Sequence, residues 1–265
     1  PGWRVSLSLV EAHDNPVVAL VRRAAELLDV AHDARSLHVR ARVPAAMGLG
    51  ASAALAVAVT RALARAHGVP VDDERVNAIA FECEKLAHGT PSGVDNTLAT
   101  LAQPLLYRRQ GDVLVEPVDL QRVPPLVVAC GHGTGRTGEQ VAGVRERRSR
   151  QEARYERLFD EMDALALDGL DALRAADDAR LGELMNVAHG LLNAIGVSTP
   201  ELEHLVSVAR SAGALGAKLT GAGGGGSIVA LAPDDVGPLE AAFAAAGYRT
   251  LSLARPLNRE QASSP

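Results

Sequence analysis

The amino-acid sequence predicts an α+β protein of two domains, and three observations carry that expectation. The chain has 265 residues, 47% of them hydrophobic and 22% charged, which is enough to bury one large core or two modest ones. Two prolines, Pro124 and Pro125, stand just before a new apolar strand, marking a boundary near Gln121–Pro125. Beyond them the order reads strand, helices, strand, strand, helix, strand, the pattern of an antiparallel sheet with helices packed on one face. The expected domains are therefore residues 1–122 and 123–255, followed by a tail, 256–265.

Each element has a local reason. Asn15-Pro16 reads as an N-cap followed by proline at the first helical position, and Val17, Leu20, Val21, Ala24 and Leu28 continue at helical spacing. Ser36–Val43 alternates strictly, as a half-buried strand does. A loop, Pro44–Gly50, enters a nearly all-apolar helix from Ala51 to about Ala66, expected to be buried on every side. Asp72-Asp73 opens a helix to Ala87, His88–Gly93 is loop, and Val94–Leu101 is a short helix. Strands are expected at Leu105–Arg108, Val113–Val118 and Leu126–Cys130. Helices follow at Gly138–Leu165, Leu170–Ala175, Asp178–Ala194 and Pro200–Ala212. Strands Ala214–Thr220, Ser227–Leu231 and Tyr248–Leu253, with helix Asp235–Ala246, complete the second domain. No element is assigned before Asn15.

Composition excludes several classes. A formal net charge of -5 speaks against non-specific nucleic-acid binding, and the run Arg145, Arg147, Arg148, Arg150 is expected to be a solvated helix face. Two cysteines, Cys83 and Cys130, fit a reducing, cytoplasmic setting rather than a disulfide scaffold. The longest uncharged stretch, Val43–Thr60, is broken by proline and glycine and makes a poor membrane span. All but two of the 27 basic residues are arginine, so the survivors Lys85 and Lys218 draw notice. Lys85 faces outward on its helix; Lys218 leads into a glycine tract.

Three places carry chemistry. In the first, Pro44–Ala54, a glycine-rich loop runs into a helix whose first turn has no acidic residue. Its unpaired N–H groups and dipole make an anion site, with Ser52 suited to phosphate or its metal ion. A tight turn before a core helix is the plainer alternative. Gly48-x-Gly50-x-x-Ala53, with Asp72 beyond, also matches a dinucleotide fingerprint, but the preceding strand is polar on alternate positions and does not feed straight into the first glycine.

The second is Glu84–Asp95. Val76, Ile79, Ala80, Cys83 and Ala87 form the buried stripe of their helix, and Glu84 falls at its margin, where an inward carboxylate wants a cation. Asp95 opens the next helix, and taken alone it would compensate a helix dipole. His88 reads equally as a surface histidine or a functional one. The third is Lys218–Ser227, where four consecutive glycines cost entropy that contact with a ligand or another backbone would justify. A floppy turn is the alternative.

Together Pro44–Ala54, His88–Asn96 and Lys218–Ser227 resemble the GHMP small-molecule kinases, in order and spacing, over about Asn15 to Leu253. His88-Gly89-Thr90-Pro91-Ser92-Gly93-Val94-Asp95-Asn96 and Lys218-Leu219-Thr220-Gly221-Ala222-Gly223 are most similar to the members that act on mevalonate. The resemblance implies an N-terminal α/β nucleotide-binding domain, a ferredoxin-like C-terminal domain, and ATP- and Mg2+-dependent phosphorylation of the C5 hydroxyl of mevalonate. It assigns Ala46, Met47, Gly48, Leu49, Gly50, Ala51 and Ser52 to ATP, Ser52 and Glu84 to magnesium, and Asp95 to the catalytic base. His88, Thr220, Gly221, Ala222 and Gly223 fall to substrate binding. Its partners would be ATP and a small alcohol, with no nucleic acid and no membrane, and a homodimer stays open.

Two departures stand out. Ala51 replaces the first of the family's paired serines, and Cys130–Thr137 stands where the family reads Asp-Thr-Gly. The family's first motif, with a lysine and Gly-Glu-His, has no counterpart before Asn15; a chain lacking upstream residues is expected rather than a degenerate one. Sister kinases of phosphomevalonate, homoserine or sugars, and a non-catalytic ligand-binding homologue, are the alternatives.

Overall fold

The computed structural model describes residues 3–8, 15–31, 36–41, 43–44, 47–88, 90–110, 112–133 and 137–252. The chain forms two compact units, Pro1–Val118 and Asp119–Pro265.

Unit 1 begins with β1 (Trp3–Ser8), which pairs antiparallel with β2 (Ser36–Ala41) in the register Trp3↔Ala41 to Ser8↔Ser36. The first of these strands is absent from the sequence reading, although Trp3, Val5 and Leu7 alternate with polar residues as β2 does. Between them α1 (Pro16–Leu28) starts as expected: the Asn15 side chain accepts from the Val17 N–H at 2.8 Å, and Pro16 occupies the first turn. α2 (Ala51–His67) follows the glycine loop and ends at Gly68, whose φ of +69° closes the helix in the left-handed region. α3 (Asp73–His88) is capped by Asp72, whose carboxylate accepts from the Arg75 N–H at 2.8 Å. α4 (Val94–Leu101) leads to the hairpin of β3 (Leu105–Gln110) and β4 (Asp112–Pro117).

The core of unit 1 is where α1, α2 and α3 meet, with Val21, Ala24, Ala56, Val57, Val59, Val76, Ile79, Ala80 and Cys83 buried. Burial pushes the Cys83 thiol up to about 11, so it is an inert core group rather than a nucleophile. One expectation fails here: α2 is not buried all round. Ala54, Ala58, Ala62 and Ala66 are exposed. Alanine pays little for exposure and favours helix, so an apolar composition did not require an enclosed helix.

Unit 2 holds β5 (Leu126–Cys130), α5 (Thr137–Arg150), α6 (Glu152–Arg174), α7 (Asp178–Ala194), α8 (Pro200–Ser211), β6 (Gly216–Thr220), β7 (Ser227–Leu231), α9 (Gly237–Ala245) and β8 (Arg249–Ser252). The four strands make one antiparallel sheet in the order β6-β7-β5-β8. Helical connections after β5 and β7 give this sheet the ferredoxin-like split topology. Its core packs Val127, Ala129, Ala217, Leu219, Ile228 and Ala230 against Leu202, Leu205 and Val206 of α8 and Phe243 of α9.

Two helix expectations are corrected. The segment read as one helix from Gly138 to Leu165 breaks at Gln151, and the second piece runs on to Arg174, absorbing Leu170–Ala175. The break follows the charged run, where Arg148 reaches across to Glu156 at 2.5 Å. Nor is that run wholly solvated: Arg147 donates to the carbonyls of Ile195 (3.0 Å) and Gly196 (3.2 Å), just beyond α7, while Arg145, Arg148 and Arg150 are exposed. No described helix is long and apolar enough to cross a membrane.

Candidate active site

The chemistry-bearing residues of unit 1 gather at the start of α2. Gly50 caps that helix with φ +66°, a conformation glycine adopts without strain. No side chain caps the helix and its first turn holds no acid, so its N–H groups and positive dipole end face outward from the loop. Met47, Gly48, Leu49, Gly50, Ala51 and Ser52 are all at or beside this end. Ala46 lies outside the described residues.

Ser52, in the first turn, donates through its hydroxyl to Glu84 Oε1 at 2.5 Å. Glu84 comes from the last turn and a half of α3 and is 3% exposed. Its position at the edge of the apolar stripe, where sequence periodicity put it, lets the carboxylate reach α2 instead of solvent. A second carboxylate arrives from α4: a Cβ built on Gly50 would stand 3.7 Å from Asp95 Oδ1. Helix start, hydroxyl, buried carboxylate and exposed carboxylate thus share one corner of unit 1.

Asp95 is held there by its neighbours. Asn96 Nδ2 donates to Asn77 Oδ1 at 2.5 Å, Asn77 Nδ2 to Thr97 Oγ1 at 3.3 Å, and Thr97 Oγ1 to the Gly93 carbonyl at 2.7 Å. Tyr107 donates its hydroxyl to the Ser92 carbonyl at 2.7 Å, and Arg109 donates to the same oxygen at 3.1 Å. Gly93 has φ +93°, which strains any residue with a side chain, and a Cβ there would also displace the Tyr107 hydroxyl, 2.7 Å away. Sequence reading missed Asn77, Tyr107 and Arg109. Asn77 carried a signal, being two helical turns before Glu84 on the same side of α3. His88 ends α3 rather than lying in the loop, and its side chain is outside the described residues.

In unit 2 the glycine tract is a built loop. Gly221, Gly223, Gly224, Gly225 and Gly226 all have positive φ. The Gly224 N–H donates to Val197 O at 2.8 Å, Gly226 N–H to Gly133 O at 2.9 Å, and Gly131 N–H to Gly226 O at 2.7 Å. A Cβ on Gly223 would collide with the Val197 carbonyl. These bonds exclude the floppy-turn reading. Thr220 ends β6, and Ala222 is half-buried in the loop.

Lys218, desolvated by burial and so held below the ordinary lysine value, donates to the Leu219 carbonyl at 2.8 Å. Lys85 is a surface group, paired with Glu82 at 2.5 Å. The departure segment at Cys130–Thr137 is anchored by Glu201, which accepts from the N–H groups of His132 (2.8 Å) and Gly133 (3.1 Å).

Among the described residues no group of three or more His, Cys, Asp or Glu is arranged to hold a metal. Mg2+ keeps several waters and takes one or two protein oxygens beside substrate phosphates. Ser52 Oγ and the Glu84 carboxylate are hard oxygen donors of the required kind, beside the uncapped start of α2.

Residues 17–103 match the model of the GHMP kinases N terminal domain, and residues 170–249 that of the GHMP kinases C terminal domain. The mevalonate kinase of Thermococcus onnurineus is 36% identical over 263 residues, 93% of this chain and 78% of the relative. The chain belongs to the GHMP kinases. Within the family it is also similar to the mevalonate kinase of Pyrococcus horikoshii, 40% identical over 225 residues. That match covers 82% of this chain, and the chain spans 66% of that relative's length. Among solved structures, this GHMP kinase superposes on L. major mevalonate kinase in complex with R-mevalonate with a TM-score of 0.78 at 35% identity, covering 89% of this chain and 73% of that one. The Methanococcus jannaschii mevalonate kinase, at 20% identity and TM-score 0.73, covers 93% of this chain and 77% of its own, and shares the fold.

Proposed function

We propose that this protein is an ATP- and Mg2+-dependent kinase that phosphorylates the C5 hydroxyl of (R)-mevalonate, yielding 5-phosphomevalonate and ADP for isoprenoid precursor synthesis in the cytoplasm. The observation that carries the reading is the convergence in unit 1 of the uncapped α2 start, the Ser52–Glu84 pair and Asp95. Similarity to mevalonate kinases over most of the chain supports the choice of acceptor.

Phosphoryl transfer asks a protein for positioning and charge stabilisation more than for covalent chemistry. The N–H groups around Gly48–Ser52 receive phosphate oxygens, with Met47, Leu49 and Ala51 shaping the loop backbone beside them. Ser52 and Glu84 would hold Mg2+, which when bound neutralises charge on the transferring phosphate. Asp95 accepts the proton of the C5 hydroxyl as the new O–P bond forms and the bond from the γ-phosphorus to the β–γ bridging oxygen breaks, leaving ADP. Thr220, Gly221, Ala222 and Gly223, with His88, are assigned to substrate on the family's pattern.

The test is a coupled assay of ADP release with (R)-mevalonate, ATP and Mg2+. Turnover that requires all three supports the reading. No ADP release with mevalonate overturns it, and faster turnover of phosphomevalonate, homoserine or galactose would replace the acceptor while keeping the chemistry.

A further inference from the structure

Among the described residues β6 is an edge strand, paired only with β7, so the backbone groups along its outer edge need other partners. Two side chains one turn apart on α7 take three of them. Asn186 Nδ2 donates to Leu215 O at 3.1 Å, and its Oδ1 accepts from the Ala217 N–H at 3.2 Å. His189 Nδ1 accepts from the Leu219 N–H at 3.3 Å.

Both side chains are fixed in turn. Arg210 Nε donates to Asn186 Oδ1 at 2.9 Å, which orients the amide. His189 is 3% exposed, and accepting at Nδ1 leaves its proton on Nε2, which lies 3.1 Å from Glu203 Oε1 but outside hydrogen-bond geometry. Ser198 donates to that same Glu203 oxygen at 2.5 Å. Burial holds the imidazole below its ordinary value, favouring the neutral ring that the Leu219 bond requires. Helix and strand backbones touch: a Cβ on Gly216 would lie 2.6 Å from the Gly182 Cα. Thr220, the next residue after Leu219, opens directly into the glycine tract.

We infer that Asn186 and His189 are positioning residues that set the placement of Thr220–Gly226 through the outer edge of β6, and that ligand binding by the tract depends on them. The second half of this inference rests on the proposed role of the tract in the kinase reaction. Neither residue needs to touch a ligand. Each acts through the backbone that presents Thr220 and Gly221–Gly223.

The experiment compares His189→Asn, His189→Gln and Asn186→Ala in the full chain. Asparagine can place Oδ1 where Nδ1 stands, whereas glutamine extends its amide to the Nε2 position and leaves the Leu219 N–H unpaired. Steady-state kinetics are read alongside backbone amide exchange of peptides covering Leu219–Gly226. The expected result for His189→Gln is faster exchange in those peptides and a KM for ATP or mevalonate raised about tenfold, with kcat changed less. His189→Asn should restore both. Should His189→Gln fail to fold, Asn186→Ala carries the test by removing the Leu215 and Ala217 bonds. Unchanged exchange in Leu219–Gly226, or equal effects of the asparagine and glutamine variants, overturns the clamp. Faster exchange with unchanged KM keeps the clamp and overturns the reading of the tract as a ligand site.

Discussion

The Ser52 hydroxyl of α2 donates to the Glu84 carboxylate of α3 at 2.5 Å, joining two residues 32 positions apart in a pocket where Glu84 is 3% exposed. A buried carboxylate is costly unless hydrogen bonds or a cation offset its lost hydration. Glu84→Gln keeps an acceptor for Ser52 and removes the charge. Its kcat/KM is expected to fall about 100-fold or more, with a raised Mg2+ requirement and little change in thermal midpoint. Ser52→Ala should lower activity in the same direction. A magnesium titration of both variants checks this; wild-type magnesium dependence in Glu84→Gln would remove Glu84 from the metal site.

Asp95→Asn separates base from scaffold. The side chain is exposed, and Asn96 and Thr97 hold α4 through their bonds to Asn77 and to the Gly93 carbonyl. Stability should therefore stay near wild type while kcat falls about 10²–10⁴-fold, the range for a lost general base. Single-turnover phosphoryl transfer reads the chemical step directly. Unchanged turnover would remove Asp95 from the role of base.

The clamp behind Asp95 gives the opposite signature. Asn77→Ala takes from the buried Asn96 amide, which is 3% exposed, its 2.5 Å partner and leaves it the 3.5 Å bond to the Asn77 backbone carbonyl. The expected cost is about 1–3 kcal/mol in a denaturant titration. Tyr107→Phe, which loses only the bond to the Ser92 carbonyl, should cost about 1 kcal/mol.

How much of this was legible depends on what kind of signal each residue emits. The inward placement of Glu84 was legible because helical periodicity put a carboxylate at the border of an apolar stripe, and that of Gly50 because the glycine stands directly before an acid-free helix start. The sheet of unit 2 was readable because β5 and β7 are short apolar runs between turns. Asn77, His189 and Glu201 were not readable as partners, since each acts on backbone or side chains 19 to 69 residues away. No local period encodes such distances. The split between α5 and α6 escaped for a related reason: neither glycine nor proline marks it, and charge pairing across the break takes their place. β1 was overlooked although its alternation was visible, because its partner β2 lies beyond an intervening helix.

The glycine tract supplies a stability test with an internal control. Gly223 has φ +77°, and a Cβ there would collide with the Val197 carbonyl, so Gly223→Ala must shift backbone as well as adopt a strained conformation. A loss of about 1–3 kcal/mol is expected. Gly138, in the first turn of α5, meets nothing within 4 Å and has no positive φ, so Gly138→Ala should be neutral or stabilise by about 0.5–1 kcal/mol. Paired denaturation curves decide it; equal effects would mean that the tract has room that its backbone contacts deny.

Glu201 gives the chain a pH-dependent anchor. Burial pushes its carboxyl up, but the N–H groups of His132 and Gly133 and the His132 ring together hold it below the ordinary 4.5. A depressed folded-state value means that protons bind the unfolded chain more readily. The anchor's stabilisation is therefore fully present above about pH 4.5 and is lost as pH falls through the folded value. Glu201→Gln replaces one acceptor oxygen by an amide that cannot accept from these N–H groups. The variant should be less stable than wild type at about pH 7, by a margin that stays level down to about pH 5 and then narrows as wild type loses its own charge. Denaturant midpoints of both proteins across that range measure the margin. A gap that persists unchanged to about pH 3 would show that packing of the residue, and not its ionised carboxylate, holds the Gly131–Gly133 segment against α8.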